Sequence, residues 1–299
     1  MATPNVMIFG PSGQVGSYAA LQAHASGAKV SLAMRDPSKS IPTLDDIPAE
    51  RVHADLTDPA TILSAVKQTG ATRAFIYVMF GSPDNMRASI EALKEAGIEF
   101  VVLLSSFTIE GEASDVSSDK IIPFVHAQVE IGLQEVFGKE AFVTVRGAFF
   151  SSNSLWYKQG ILSGEVLHAN PGAEWDFIAP EDVGRVCGAI LVNGAQEHAV
   201  GLVGPEKMST EEAIGHIGRV LNRQIRIVKC SEQDAIEALV AGGMAILVAQ
   251  WFTDSVLHDA GAFFVAPDYT AASGNVQKYT QSEPVGFLQW LEENKSKFD

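Results

Sequence analysis

Short apolar runs alternate with amphipathic stretches through the first half of the chain, a pattern that predicts repeated β-α units around a parallel sheet. Residues 5–10 (NVMIFG) read as the first strand and 12–25 as the first helix. Further strands are expected at 29–34 (KVSLAM), 51–54, 74–79 (AFIYVM), 100–105 (FVVLLS) and 141–146, with helices over 59–68, 84–96 and 122–136. The fifth run is apolar almost throughout, as a strand covered on both faces requires. Between the fifth strand and its helix, 111–119 is short, polar and serine-rich, and reads as a loop beyond the strand's carboxyl end, where ligands bind in such sheets.

After residue 150 the alternation weakens. An extended piece is expected at 175–178, a helix at 181–191 and a late strand at 200–203. Ser209 with Glu212 three positions on is a capping-box signal for another helix. The apolar stretch 238–252 reads as a buried helix or pair of helices, and 268–278 as a surface loop. The final helix, 284–294, is expected to turn Phe287, Leu288 and Trp290 inward. The predicted fold class is α/β, a doubly wound parallel sheet with a smaller carboxyl-terminal lobe. Residues 1–150 with 176–204 form the sheet domain, 151–175 and 205–283 form a substrate-covering lobe, and 284–299 form the terminal helix.

Composition narrows the chemistry. The formal net charge of -15 argues against a general nucleic-acid or anionic-membrane surface, though it leaves room for one local basic pocket. Cys187 and Cys230 are too few for a disulfide framework or a thiolate metal cage, and both are expected to be reduced. No His-x-x-x-His or His-Glu-x-x-His spacing occurs, so no catalytic metal is expected. The first strand starts too early to leave room for a signal peptide, and no apolar run approaches the roughly 20 residues that span a bilayer. These features predict a cytoplasmic protein whose partner is a small molecule. They leave the oligomeric state open.

The sharpest motif is Gly10-Pro11-Ser12-Gly13-Gln14-Val15-Gly16, between the first strand and the first helix. Glycines at this spacing allow a tight turn, close backbone approach to a pyrophosphate and close helix–strand packing, while the helix amino terminus offers free N–H groups to the anion. Gly10, Ser12, Gly13, Gln14, Val15 and Gly16 are therefore candidate dinucleotide contacts. After the second strand, where a carboxylate would hold the ribose of NAD(H), stands Arg35, followed by Asp36 and Lys39. Arg35 and Lys39 favour the 2′-phosphate of NADP(H) over NAD(H), and Asp36 is the competing reading. Asp55 and Leu56, after the third strand, are expected near the adenine, and Met79 and Phe80 under the nicotinamide ribose.

GPSGQVG, RDPSK, ADLTDP, SSF, PFVHAQVE and TVRGAFFSSN occur in that order over roughly residues 5–190. The set resembles the NmrA-like branch of the atypical short-chain dehydrogenase/reductase superfamily, whose ground plan the isoflavone-reductase-like and quinone-reductase-like proteins share. The resemblance implies a Rossmann-type fold and an NADPH-dependent reductase of a quinone, enone, imine or carbonyl. Its alternatives are a cofactor-binding redox-sensing regulator, or a non-redox isomerase or cyclase on the same fold. The Tyr-x-x-x-Lys pair of carbonyl-reducing members is absent at the matching helix, which carries His126 and, one turn on, Glu130. His126 stands where relatives place a lysine, and its ordinary pKa suits proton transfer; Glu130 is expected to orient the ring. Ser105 and Ser106 are expected near the nicotinamide, and Phe107, Asn153, Trp156 and Trp251 along the substrate pocket.

Overall fold

Strand β1 (Asn5–Phe9) leads into helix α1 (Gln14–Ala25), followed by β2 (Lys29–Met34), β3 (Glu50–His53), α2 (Pro59–Thr69), β4 (Arg73–Tyr77), α3 (Arg87–Ala96), β5 (Phe100–Ser106), α4 (Ile121–Phe137) and β6 (Phe142–Gly147). The computed structural model describes residues 3–258 and 268–299. The chain continues through α5 (Lys158–Ser163), β7 (Glu165–His168), β8 (Glu174–Trp175), α6 (Pro180–Asn193), β9 (Ala199–Leu202) and β10 (Met208–Ser209). Helix α7 (Thr210–Leu221), β11 (Arg226–Lys229), α8 (Glu232–Ala241), α9 (Ile246–His258), α10 (Asp268–Ala272), α11 (Asn275–Thr280) and α12 (Phe287–Asn294) complete it.

Seven of these strands form one parallel sheet in the order β3-β2-β1-β4-β5-β6-β9. Strand order reverses beside β1, between β2 and β4, which opens a crevice at the carboxyl ends of the strands. Strand residues alternate between two cores. Val6, Ile8, Val30, Leu32, Phe75 and Val145 meet α1 and α6 on one face. Met7, Phe9, Ile76, Val101, Leu103 and Phe142 meet α2, α3 and α4 on the other. Both faces are dry, so the alternating polar face of a solvated sheet is missing and the strands read as continuous apolar runs.

Helices α1 and α6 approach unusually closely. A Cβ on Gly184 would overlap the Val15 carbonyl, and one on Gly188 would overlap the Ala19 carbonyl. Across the contact, α1 presents Ala19, Ala20 and Ala23, all buried. Small residues on both sides let the backbones meet.

A third core joins Tyr157, Trp175, Phe177, Ile217, Phe252, Phe287 and Trp290 from the later elements. Two short sheets, β10-β8 antiparallel and β11-β7 parallel, lie in this part of the chain. Strand β8 ends at Trp175, and Ile178 instead bridges singly to Phe150. Ser209 caps α7 in a full capping box with Glu212.

Two expectations are corrected. Residues 268–278 belong to α10 and α11 rather than a loop, because Ala272 and Val276, four apart, bury one face while Asn275 Nδ2 donates to the Gly201 carbonyl at 2.9 Å. Leu288 is 42% exposed rather than inward. The helix starts at Phe287, so its buried stripe runs Phe287, Trp290, Leu291 and Asn294, and Leu288 falls off that face. The 238–252 stretch is a pair of helices, α8 and α9, but Val240, Ile246 and Leu247 are exposed at their junction.

Candidate dinucleotide and active site

Each glycine of the first turn answers a separate steric demand. Gly10 has φ +65°, and a Cβ there would stand 2.6 Å from Tyr77 Cε1 on β4. A Cβ on Gly16 would overlap the Gly10 carbonyl, and one on Gly13 would lie 3.3 Å from the same oxygen. The Gly13 N–H donates to that oxygen at 3.0 Å and closes the turn. Gly13 caps α1 without any side-chain hydrogen bond, so the N–H groups of Gln14, Val15 and Gly16 have no intrahelical acceptor. Ser12 is exposed above them, and Gln14 Oε1 is buried with no partner. Three unspent donors at a helix amino terminus, an orphaned amide oxygen and a floor that admits no side chain fit a pyrophosphate. The residues present fit a dinucleotide cofactor.

Arg35 leaves the end of β2 exposed, and among the described residues its guanidinium has no hydrogen bond or ion pair. Asp36 is turned away from any ribose role by its own loop: Oδ1 accepts the Ser38 hydroxyl at 2.6 Å and the Ser38 N–H at 3.0 Å. Those bonds hold its carboxyl below the usual range. Lys39 is exposed in the same loop, and its carbonyl accepts from Arg51 Nη1 at 2.9 Å. Asp55 Oδ1 accepts from the Thr57 N–H at 2.9 Å and hydroxyl at 2.8 Å. Burial works to raise the Asp55 pKa, but these bonds, with Arg35 and His53 nearby, leave it lowered. Burial raises Tyr77, which feels both Arg35 and Asp55 across the crevice. Leu56 is only 4% exposed and packs in the second core, with its carbonyl accepting from Ser89 at 2.6 Å.

Beyond β4 the chain turns through Met79, Phe80 and Gly81 into a loop where Asn85 and Met86 both hold positive φ. Met86 Sδ accepts from the Met79 N–H at 3.2 Å, and Met86 itself is buried. Phe80 is 53% exposed and meets the His126 imidazole edge-on at a centroid distance of 5.5 Å. The His126 Nδ1 is buried and unpartnered, and burial pushes the ring's pKa down to about 4. A ring with that pKa is neutral at pH 7 and offers a hydrogen bond rather than a labile proton.

Glu130 does not orient this ring. Both its oxygens face Arg146 of β6, at 2.7 Å to Nη2 and 3.1 Å to Nε, and Oε1 also accepts the Ser105 hydroxyl at 2.6 Å. The two ions are nearly buried, so carboxylate and guanidinium satisfy each other rather than a neutral imidazole. Ser105 is thereby sequestered at 4% exposure, whereas Ser106, on the opposite side of the strand, bonds Thr108 Oγ1 at 2.8 Å and stays half-buried. Arg146 Nη1 also donates to the carbonyls of Ile109 and Gly111, tying down the loop beyond β5.

Phe107 lies over the edge strand, 2.8 Å from where a Gly201 Cβ would stand. Asn153 is half-buried in a 3₁₀ turn after β6. Trp156 packs edge-on against Phe149 at 5.7 Å and Phe252 at 5.3 Å, and Phe149 stacks on Trp175 at 4.4 Å. Trp251 precedes Phe252 on α9 and is half-buried. Sequence reasoning passed over Arg146, although a lone arginine in TVRG was a visible signal. It passed over Tyr77 as the partner of Gly10, and over the Gly184-x-x-x-Gly188 spacing on α6.

The family described as NAD(P)H-binding matches residues 10–130, the stretch that carries the glycine turn, Arg35, Asp55 and His126. An NADPH-dependent quinone oxidoreductase of Escherichia coli, solved with NADPH, shares the fold at a TM-score of 0.76 and 18% identity, covering 98% of this chain and 100% of that one. Triphenylmethane reductase of Citrobacter sp., solved with NADP(H), matches at 0.72 and 14%, covering 96% and 99%. The negative transcriptional regulator NmrA matches at 0.69 and 17%, covering 98% and 95%. A nitrogen metabolite regulation-like protein of Gibberella fujikuroi is 34% identical over 313 residues, 96% of this chain and 95% of its own length. With that identity over nearly its whole length, the chain is a member of the nitrogen metabolite regulation-like, or NmrA-like, family, and its residues 10–130 match the NAD(P)H-binding family.

Proposed function

We propose that this protein binds NADP(H) in preference to NAD(H) and reduces a small organic acceptor by hydride transfer. The observation that carries the cofactor choice is Arg35, an exposed cation at the end of β2 with no ion pair among the described residues, beside an Asp36 carboxylate already spent on Ser38. The N–H groups of Gln14, Val15 and Gly16 would hold the pyrophosphate, with Arg35 and Lys39 on the 2′-phosphate. The cofactor, once bound, supplies the hydride.

The chain's own contribution at the reacting end narrows the acceptor. His126 is neutral and Ser105 is tied to Glu130, so the site offers hydrogen bonds and no strong acid. Such a site suits acceptors whose reduced form needs no concerted proton, namely quinones and cationic conjugated dyes, over simple aldehydes. Phe80, exposed beside the His126 ring, suits a flat acceptor. Two structural neighbours, an NADPH-dependent quinone oxidoreductase and a triphenylmethane reductase, support the same class.

A redox-sensing regulator is the second reading, favoured by the relative named for nitrogen metabolite regulation. The deciding experiment first measures NADPH and NADH binding, then follows absorbance loss at 340 nm with quinones, a triphenylmethane dye, enones and aldehydes. Turnover with the first two and little with aldehydes supports the reductase. NADPH binding with no turnover on any acceptor supports the sensor and removes the reductase reading.

A further inference from the structure

A groove of about 720 Å³ opens on the carboxyl-terminal lobe, between the second half of α7 and the start of β11. It is lined by Arg219, Arg223 and Arg226 together with Gly164, Gly215 and Gly218. No dinucleotide-site residue lines it. In a chain of net charge -15, three arginines on one concavity form a local exception. Among the described residues Arg223 has no hydrogen bond or ion pair through its guanidinium, and Arg219 reaches only the His216 imidazole, at 3.0 Å. Arg226 pairs with Glu165 in the open, where such a pair adds little and is readily exchanged.

The groove reaches Arg226, the first residue of β11. Among the described residues strand β11 pairs with β7 alone, in a two-stranded sheet. The Arg226 N–H donates to the Gly164 carbonyl at 2.9 Å and the Cys230 N–H to the His168 carbonyl at 3.2 Å. Backbone groups alternate along a parallel pair, so the amides of Ile227 and Lys229 face the other way, toward the unpaired edge. Arg226 and Lys229 are both exposed beside that edge.

We propose that this groove and the open edge of β11 receive an extended acidic segment of a partner protein. Its backbone adds as a strand to Ile227 and Lys229, and its carboxylates meet Arg219, Arg223 and Arg226. Strand addition gives main-chain bonds without sequence demand, and the guanidinium groups select the charge. A long polyanion such as nucleic acid is disfavoured, because the acidic remainder of the chain repels it beyond the groove. A second copy pairing edge to edge is disfavoured as well, since it would set Arg226 and Lys229 against the same cations. The inference stands apart from the cofactor reading.

The test is fluorescence anisotropy on the full chain with a labelled eight-residue peptide of alternating Glu and Val, and a Lys-Val peptide as control. The Glu-Val peptide should bind, the Lys-Val peptide should not, and raising salt from 50 to 200 mM should weaken binding at least threefold. R223E should weaken it at least tenfold while leaving the thermal midpoint and NADPH affinity unchanged. Methylating alternate peptide nitrogens, which blocks strand pairing but keeps charge, should also cost at least tenfold. Equal binding of both peptides, no binding of the acidic one at millimolar concentration, or full competition by inorganic phosphate would overturn the proposal. So would a concentration-dependent dimer that R223E abolishes.

Discussion

Glu130 of α4 and Arg146 of β6 form a nearly buried ion pair at 2.7 Å that also holds the Ser105 hydroxyl and the loop beyond β5. Removing one partner strands the other charge inside the protein. Glu130→Ala is expected to destabilise the fold by about 3–5 kcal/mol, and replacing both residues with apolar ones should recover most of that. Urea unfolding measures both; a single-mutant loss under about 1 kcal/mol would show the pair to be unimportant.

Arg35→Ala should raise the dissociation constant for NADPH about 30-fold, the equivalent of one lost charge-assisted bond of about 2 kcal/mol, and leave NADH within threefold. Calorimetric titration of both cofactors decides it. Equal losses for the two would mean that Arg35 does not read the 2′-phosphate.

Gly16→Ala should abolish measurable NADPH binding and lower the thermal midpoint by several degrees, because its Cβ would overlap the Gly10 carbonyl. The neighbouring Ser12 is exposed, and Ser12→Ala should leave the midpoint within about one degree. Similar effects at the two positions would contradict the packing described for the turn.

With its pKa pushed down to about 4, His126 should leave no titration between pH 5 and 8 in the rate of NADPH oxidation. His126→Ala should slow turnover about tenfold, as for a lost hydrogen bond, rather than the hundredfold or more of a lost general acid. A wild-type inflection near pH 6.5 that vanishes in the variant would restore the ring as a proton donor.

His168 is 3% exposed, and burial lowers its pKa from 6.5 to about 4. The unfolded chain then binds the extra proton first, so this stability is present above pH 6.5 and drains away as pH falls toward 4. The full effect is about 3 kcal/mol. Asp176, raised to about 6, acts in the opposite sense, losing stability as pH rises through 6. The difference between wild type and His168→Asn cancels the Asp176 contribution. That difference should shrink from pH 7 to pH 4.5, and a constant difference would refute the assignment.

The sheet was legible because strands buried on both faces carry uninterrupted apolar runs, and Gly10, Gly13 and Gly16 announced the turn between the first strand and helix. Arg35 follows directly on the end of β2, where its place in the chain put it. Side-chain direction was not. Spacing puts Glu130 one turn beyond His126 and so suggests that they touch, but a guanidinium on the neighbouring strand competes for the carboxylate and wins on charge. Nothing in the order of residues places position 146 opposite 130. The lobe was harder for a different reason: β7 and β11 have four residues each and, among the described residues, pair only with each other.

The close seating of α6 on α1 bears on how the molecule is made. The helix whose amino terminus we assign to the cofactor's pyrophosphate is walled on one side by Gly184 and Gly188, which emerge from the ribosome some 165 residues after it. A nascent chain cut at residue 150 would carry every signature of the nucleotide motif and yet leave Val15, Ala19 and Ala23 facing water. Cofactor binding in such a fragment should be feeble, and competence should arrive only when synthesis has passed residue 193.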